Sequence, residues 1–197
     1  VIRAFIAIDI PDDVRAAIAD AQARLKRAHV AVKVSWTKID NVHLTLQFLG
    51  HVEETTIERI SQALAALTER HAAFDIPVRG AGAFPNERSP RVLWVACDDA
   101  EGKLKTLARA VQSEMQQFGF EPEHREFSAH LTLGRIKFPK PDAALTRALD
   151  SVKDEVFGVM RVETIHLFQS QLHPEGSIYS KLSSHGLKGD IHHAGQS

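Results

Sequence analysis

Apolar residues run from Ala4 to Ile8 and stop at Asp9-Ile10-Pro11, the pattern of a first strand closed by a breaker. Asp12 and Asp13 then favour a helix N-terminus. Val14, Ile18, Ala21 and Leu25 recur at helical spacing, which leaves Arg15, Gln22 and Lys26 on a face expected to meet water. Val34 to Thr37 and His43 to Leu49 read as extended segments, and Gly50 is expected to end the second ahead of a helix marked by Ile57, Ile60, Leu64 and Leu67. Phe74, Ile76 and Val78 alternate with polar neighbours. A loop is expected from Gly80 to Pro90 and an apolar strand from Arg91 to Cys97. Leu104, Leu107, Val111 and Met115 mark a third helix, and Leu145, Ala148, Leu149 and Val152 a weaker fourth. Val159 to Leu182 reads as two strands joined by a turn at Pro174-Glu175-Gly176. Residues 183–197 lack a core pattern and are expected to form a flexible tail, which leaves 1–182 as one domain with no clean linker inside it.

Two of the extended segments open on the same word. His43-Leu44-Thr45-Leu46 returns as His130-Leu131-Thr132-Leu133. Chance supplies a repeated tetrapeptide in 197 residues about 0.2 times, so the repeat is suggestive by itself and stronger for lying in two strands. Alternation along a strand sends histidine and threonine to one face and the leucines to the other, so each strand can floor a cleft and still build a core.

Composition narrows the setting. A formal charge of −1 gives no general field for a long polyanion, which favours recognition of a nucleotide or a nucleic-acid end. The single cysteine, Cys97, excludes an intrachain disulfide, and its apolar strand suits core packing better than nucleophilic attack. Arg3 and Asp9 interrupt the apolar start in a way a signal peptide would not, and no run approaches a membrane span, so a soluble, cytoplasmic protein without membrane association is expected. There is no GxSxG elbow, no GxxxxGK[ST] loop, no HExxH and no cysteine cluster, and Gly80-Ala81-Gly82 lacks the third glycine of a dinucleotide fingerprint. Lys38-Ile39-Asp40-Asn41 comes near the KxDG of nucleotidyl-transferring ligases but lacks the glycine.

The residues that remain suit phosphate chemistry without metal or other cofactor. Two imidazoles facing each other across a central space can act on opposite sides of one phosphorus, one taking a proton from water and the other giving one to the departing oxygen. Thr45 and Thr132 can donate to non-bridging phosphate oxygens, and Arg135 can counter the developing charge. Either histidine alone would be better explained as a hydrogen-bonded structural or solvent-facing residue, and Arg135 equally well as a solvated strand-end charge. The pair changes that balance. Phe48, Phe84 and Trp94 are candidates for base stacking but better read as core or cleft wall.

With these paired H-x-T-x words the chain resembles the two-histidine (2H) phosphoesterases, and within them the bacterial and archaeal RNA 2′,3′-cyclic phosphodiesterases, historically called 2′-5′ RNA ligases. The opening Arg3-Ala4-Phe5-Ile6-Ala7-Ile8-Asp9, Gly82-Ala83-Phe84-Pro85, Arg91-Val92-Leu93-Trp94-Val95, Ser170-Gln171-Leu172 and Gly176-Ser177-Ile178-Tyr179 are similar as well. The resemblance implies a bilobal α+β fold: two pseudo-symmetric lobes of antiparallel sheet, helices packed outside, and a central cleft to which each lobe gives one motif. It implies metal-independent opening of RNA 2′,3′-cyclic phosphate ends to 2′-phosphomonoesters by a monomer, with His43 the acid that protonates O3′ and His130 the base that activates water. It also allows ATP-independent 2′-5′ RNA ligation as the reverse transfer. The residues themselves leave the acid and base labels open. They also leave open a non-catalytic nucleotide or RNA-end binding module, and a phosphodiesterase of a small cyclic nucleotide or 2′-5′ oligoadenylate.

Overall fold

The computed structural model describes residues 1–28 and 30–189. In chain order these form β1 (Ile2–Asp9), α1 (Asp12–Arg27), β2 (Val34–Trp36), β3 (His43–Val52), α2 (Glu54–Thr68), β4 (Phe74–Phe84), β5 (Val92–Cys97), α3 (Lys103–Met115), β6 (His130–Ile136), α4 (Ala143–Asp150), β7 (Val156–Val162), β8 (Thr164–Gln171) and β9 (Ile178–Gly186). Two antiparallel sheets result. One has the strand order β3-β1-β8-β9 and the other β2-β6-β5-β4-β7, so each lobe holds one motif strand. The fold is α+β and bilobal, as the resemblance implies.

The unbroken apolar run of β1 is explained by its place between β3 and β8. Ala4, Ile6 and Ile8 enter the main core, while Phe5 and Ala7 point the other way into a small separate cluster with Phe168 and Tyr179. Both faces of the strand are thus apolar. The main core is one connected body of buried side chains drawn from both sheets and all four helices.

The lobes are joined by an exchange of helices. Helix α1 leaves the sheet of β1 yet packs against β7 and α4 beside the other sheet, whereas α3 leaves the sheet of β5 and packs against β3 and α2. Its first-turn Asp12 and Asp13 and last-turn Arg24, Lys26 and Arg27 give α1 charges of the sign its dipole favours at each end. Helix α4 starts on Asp142, one oxygen of which accepts from the amides of Ala144 and Leu145 at 3.0 and 3.1 Å while the other accepts from Ala31 and Val32 at 2.6 and 3.0 Å. Burial works against ionisation of this carboxyl, and the four amides more than compensate, leaving its pKa below the usual carboxylate value.

Five details depart from the sequence reading. Gly50, with φ of +71°, accommodates an irregularity in β3 instead of ending it, and pairing with β1 continues to Val52. Gly80, at φ +83°, does the same in β4, which runs to Phe84, so the expected loop shrinks to the turn before β5. Gly82 lies inside that strand because the Trp94 ring rests on it: a Cβ there would meet Trp94 Cζ2 at 2.6 Å. The C-terminal region has three strands, with β7 joining the sheet of β6 and only β8 and β9 forming the hairpin through Gly176. Residues 183–189 are no tail, since β9 runs to Gly186, Leu187 is buried, and the Lys188 amide donates to the Thr68 carbonyl at 3.0 Å. The remainder of the expected tail, 190–197, lies outside the described residues. The fifth concerns Gln22, which sits on the buried face of α1 at 2% exposure rather than in water.

Candidate active site

His43 begins β3 opposite Asp9 of β1. Its Nδ1 meets the Asn41 carbonyl at 2.6 Å and its Nε2 meets Thr45 Oγ1 at 2.9 Å. A carbonyl partner fixes the proton on Nδ1, so in the neutral ring Nε2 is the basic nitrogen and the threonine hydroxyl donates to it. Phe5, Tyr179 and Phe168 surround the ring at centroid distances of 4.8, 5.3 and 6.3 Å. Burial lowers the His43 pKa from its ordinary value; the Asn41 carbonyl and Asp9 act against this, and Arg15 adds slightly to it. The approach to the strand is pinned by a short 3-10 turn, Ile39–Asn41, whose Asn41 Nδ2 donates to the Ser177 carbonyl at 2.7 Å.

The second half-site repeats the backbone of the first. His130 begins β6, and its Nδ1 meets the carbonyl two residues back, that of Ser128, at 2.7 Å. The same tautomer follows, with Nε2 again the nitrogen left for chemistry. The ring stands edge-on to Phe84 at 5.2 Å, and Phe84 in turn lies 5.1 Å from Trp94. Thr132 is opposite Trp94 in the register of β5 and β6.

Strict alternation would put the fifth residue of each motif strand beside the histidine and threonine. It does not hold. In β3 the register passes from Ala7 opposite Thr45 to Ile6 opposite Gln47, leaving Leu46 as an extra residue; in β6 it passes from Trp94 opposite Thr132 to Leu93 opposite Gly134, leaving Leu133 extra. Each fourth letter of the repeated word is therefore a bulge, and the first seven residues of both strands share the same order of half-buried, buried and exposed positions. Because Phe5 and Ala7 share a face of β1, Phe48 joins Thr45 on that face. By the same reasoning through Val92 and Trp94, Arg135 joins Thr132. Gln47, which simple alternation places at the site, is fully buried instead, and Phe48 is 58% exposed.

The structure thus brings His43 to Thr45 directly and sets His130, Thr132 and Arg135 on one face of β6, with β3 packed against β6 where the two sheets meet. Phe84 and Trp94 are half-buried wall beside His130, as read, whereas Phe48 is not core. A recess of about 580 Å³ runs from Trp94 and Gly82 towards Arg88 and Lys153, and a second of about 320 Å³ lies beside His71 and Phe74; neither is lined by a motif histidine. Cys97 is buried, and burial pushes its thiol up to about 12, consistent with packing. Sequence reasoning missed Asp9, His166 and Lys181, which meet at the His43 end: His166 Nδ1 lies 2.8 Å from Ser184 Oγ, its Nε2 4.0 Å from Asp9, and Lys181 pairs with Asp9. It also missed the aromatic cradle of Phe5, Phe168 and Tyr179. The signal available was the apolar second face of β1.

Two bulged strands with the same His-x-Thr word, one per lobe, are the arrangement the resemblance to two-histidine phosphoesterases implies. The chain belongs to the family described as LigT like Phosphoesterase, which matches it twice, over residues 8–94 and 95–179, one match for each half. It is 38% identical over 181 residues to an RNA 2′,3′-cyclic phosphodiesterase of Archaeoglobus fulgidus, covering 91% of this chain and 97% of that one. A protein of the same name from Methanothermobacter thermautotrophicus is 35% identical over 181 residues, with 92% and 96% covered. Among solved structures, a Thermus thermophilus protein superposes with a TM-score of 0.79 at 30% identity, covering 95% of this chain and 99% of that one.

Proposed function

We propose that the protein hydrolyses RNA 2′,3′-cyclic phosphate ends to 2′-phosphomonoesters, with His43 and His130 as the general acid and base of a metal-independent reaction. It is an RNA-end cyclic phosphodiesterase, the activity for which relatives matching more than nine-tenths of the chain are named. The single observation that carries the mechanism is the matched pair of imidazoles, each held through Nδ1 by the carbonyl two residues back so that Nε2 is the working nitrogen.

In the reaction, the oxygen of water attacks phosphorus and the bond from phosphorus to O3′ breaks. Neutral His130 takes the proton of the attacking water at Nε2, and protonated His43 delivers its Nε2 proton to O3′ as it leaves. Burial holds the His43 pKa down, so the ring gives its proton up readily; the anionic phosphate, on binding, favours the protonated form that the acid must start from. Thr45 and Thr132 donate to the non-bridging oxygens, and Arg135 opposes the charge that grows on them. Phe48, with Phe5 behind it at a ring distance of 6.1 Å, offers the terminal nucleoside an apolar face. A 5′-hydroxyl in place of water would join two RNA ends through a 2′-5′ linkage without ATP. The working form we assign is a cytoplasmic monomer that meets RNA ends or nucleotides directly; its one cysteine is buried, and among the described residues no helix is long and apolar enough to cross a membrane.

The test is incubation of the protein in EDTA with an oligonucleotide ending in a 2′,3′-cyclic phosphate. The expected product is the 2′-phosphate. Binding without turnover, turnover restored only by added metal, or preference for a small cyclic nucleotide or 2′-5′ oligoadenylate would each refute this reading.

A further inference from the structure

The bulges that follow Thr45 and Thr132 are each closed by a buried glutamine. Gln112 Nε2 donates to the carbonyl of Leu46 at 3.3 Å, and Gln22 Nε2 donates to the carbonyl of Leu133 at 3.0 Å. Leu46 and Leu133 are the extra residues of the two bulges, where the register of each strand pair shifts. Gln112 is on α3 and Gln22 on α1, the two exchanged helices, and their exposures are 8% and 2%. Gln22 also donates to the Thr37 carbonyl at 2.8 Å, and the Thr37 amide donates to the Leu133 carbonyl at 2.9 Å, tying the end of β2 to the same point. A glutamine on the core face of a helix is unfavourable unless its amide is used, and here both amides have the same use in the two halves of the chain.

We propose that Gln22 and Gln112 are positioning residues of the active site, holding the bulges that keep Arg135 and Phe48 on the face of the histidine-threonine pairs. Without the bulge, regular alternation puts Gly134 and Gln47 beside the threonines and turns Arg135 and Phe48 towards the core. The exchanged helices thereby do more than close the core: each carries one amide across to the other lobe's reacting strand. This inference rests on the proposed function insofar as it takes Arg135 to act on the phosphate and Phe48 on the nucleoside.

A double-mutant cycle on cyclic-phosphate hydrolysis separates positioning from general support. Gln22→Met keeps the length of the side chain and removes the donor. In the wild-type background it should lower kcat about tenfold, and in the Arg135→Ala background by less than about twofold, because the group it positions is gone. Equal fold losses in both backgrounds would overturn the proposal. If Arg135→Ala keeps the wild-type kcat, the positioning claim for Gln22 falls and Arg135 leaves the mechanism, whereas the two histidines are judged separately by their own variants. Should Gln22→Met fail to fold, Gln22→Asn, one methylene too short to reach Leu133, carries the same cycle. On the other half, Gln112→Met should couple to Phe48→Ala in KM and be additive with Arg135→Ala in kcat. Coupling to Arg135 instead would mean general loosening of the core and would overturn the assignment for Gln112.

Discussion

His43 is wrapped by Phe5, Phe168 and Tyr179 and bonded to Thr45, while His130 meets the edge of Phe84 and holds the Ser128 carbonyl through Nδ1. The strands beneath them are alike down to the bulge, the carbonyl two residues back and the glutamine from the opposite lobe. The third residue on the cleft face is where they part: Phe48 in one half and Arg135 in the other. Identical words therefore set identical backbones, and the character of each half comes from that third residue together with the neighbouring strands, β1, β8 and β9 in one case and β4 and β5 in the other. The lesson is a division of labour. On the proposed function, the half-site that carries Phe48, with burial holding its histidine pKa down, would meet the ribose side, and the one that carries Arg135 would meet the phosphate oxygens.

The largest effects should come from the histidines themselves. His43→Ala and His130→Ala should each lower kcat/KM by about 10²–10⁴-fold with the melting temperature little changed, and a near-wild-type rate for either would break the equivalence of the halves. Next, Arg135→Ala should reduce kcat by about 10–100-fold, the worth of one charge-assisted hydrogen bond, while Phe48→Ala should raise KM by about 3–10-fold and spare kcat. The opposite pattern would reverse the division of labour. A smaller effect is expected from Asp9→Asn, which removes a carboxylate that raises the His43 pKa and leaves Lys181 without its partner. Loss of that carboxylate favours the neutral ring, so one limb of the pH profile of kcat/KM should move to lower pH; movement upwards would contradict the electrostatics. The smallest is in stability. Burial lowers the pKa values of His43, His166 and His185, so the unfolded chain binds protons that these rings refuse when folded. Their contribution is complete above the unfolded value of about 6.5 and is lost as pH falls from there through the folded values, which a falling melting temperature would register.

What the sequence exposed and what it hid follow from the range of the interactions involved. The four helices and most strands were visible because periodicity is local: Val14, Ile18, Ala21 and Leu25 are buried as their spacing requires. The histidine-threonine face was visible too, since it needs only alternation within three residues. Alternation puts the fourth-letter leucines in the core, where they are, and does not carry beyond them, because a bulge is a property of two paired strands and leaves no mark in one of them. Gln22 was assigned to water for the same reason: its partner, the Leu133 carbonyl, lies 111 residues away and exists only once the lobes exchange helices. Gly50 and Gly80 were read as strand ends although positive φ within a continuing strand uses glycine equally well. The strand β7 was hidden in an apolar stretch that changes sheets at Glu163, a switch that only the tertiary pairing reveals.

The most direct test of the claim that the two half-sites act on one phosphate is single-turnover hydrolysis of a cyclic-phosphate oligonucleotide by His43→Ala, His130→Ala and the double variant. Groups that work in one transition state are strongly non-additive, so the double variant should be no more than about threefold slower than the slower single. Losses that multiply in the double variant would show two independent contributions and would contradict the account.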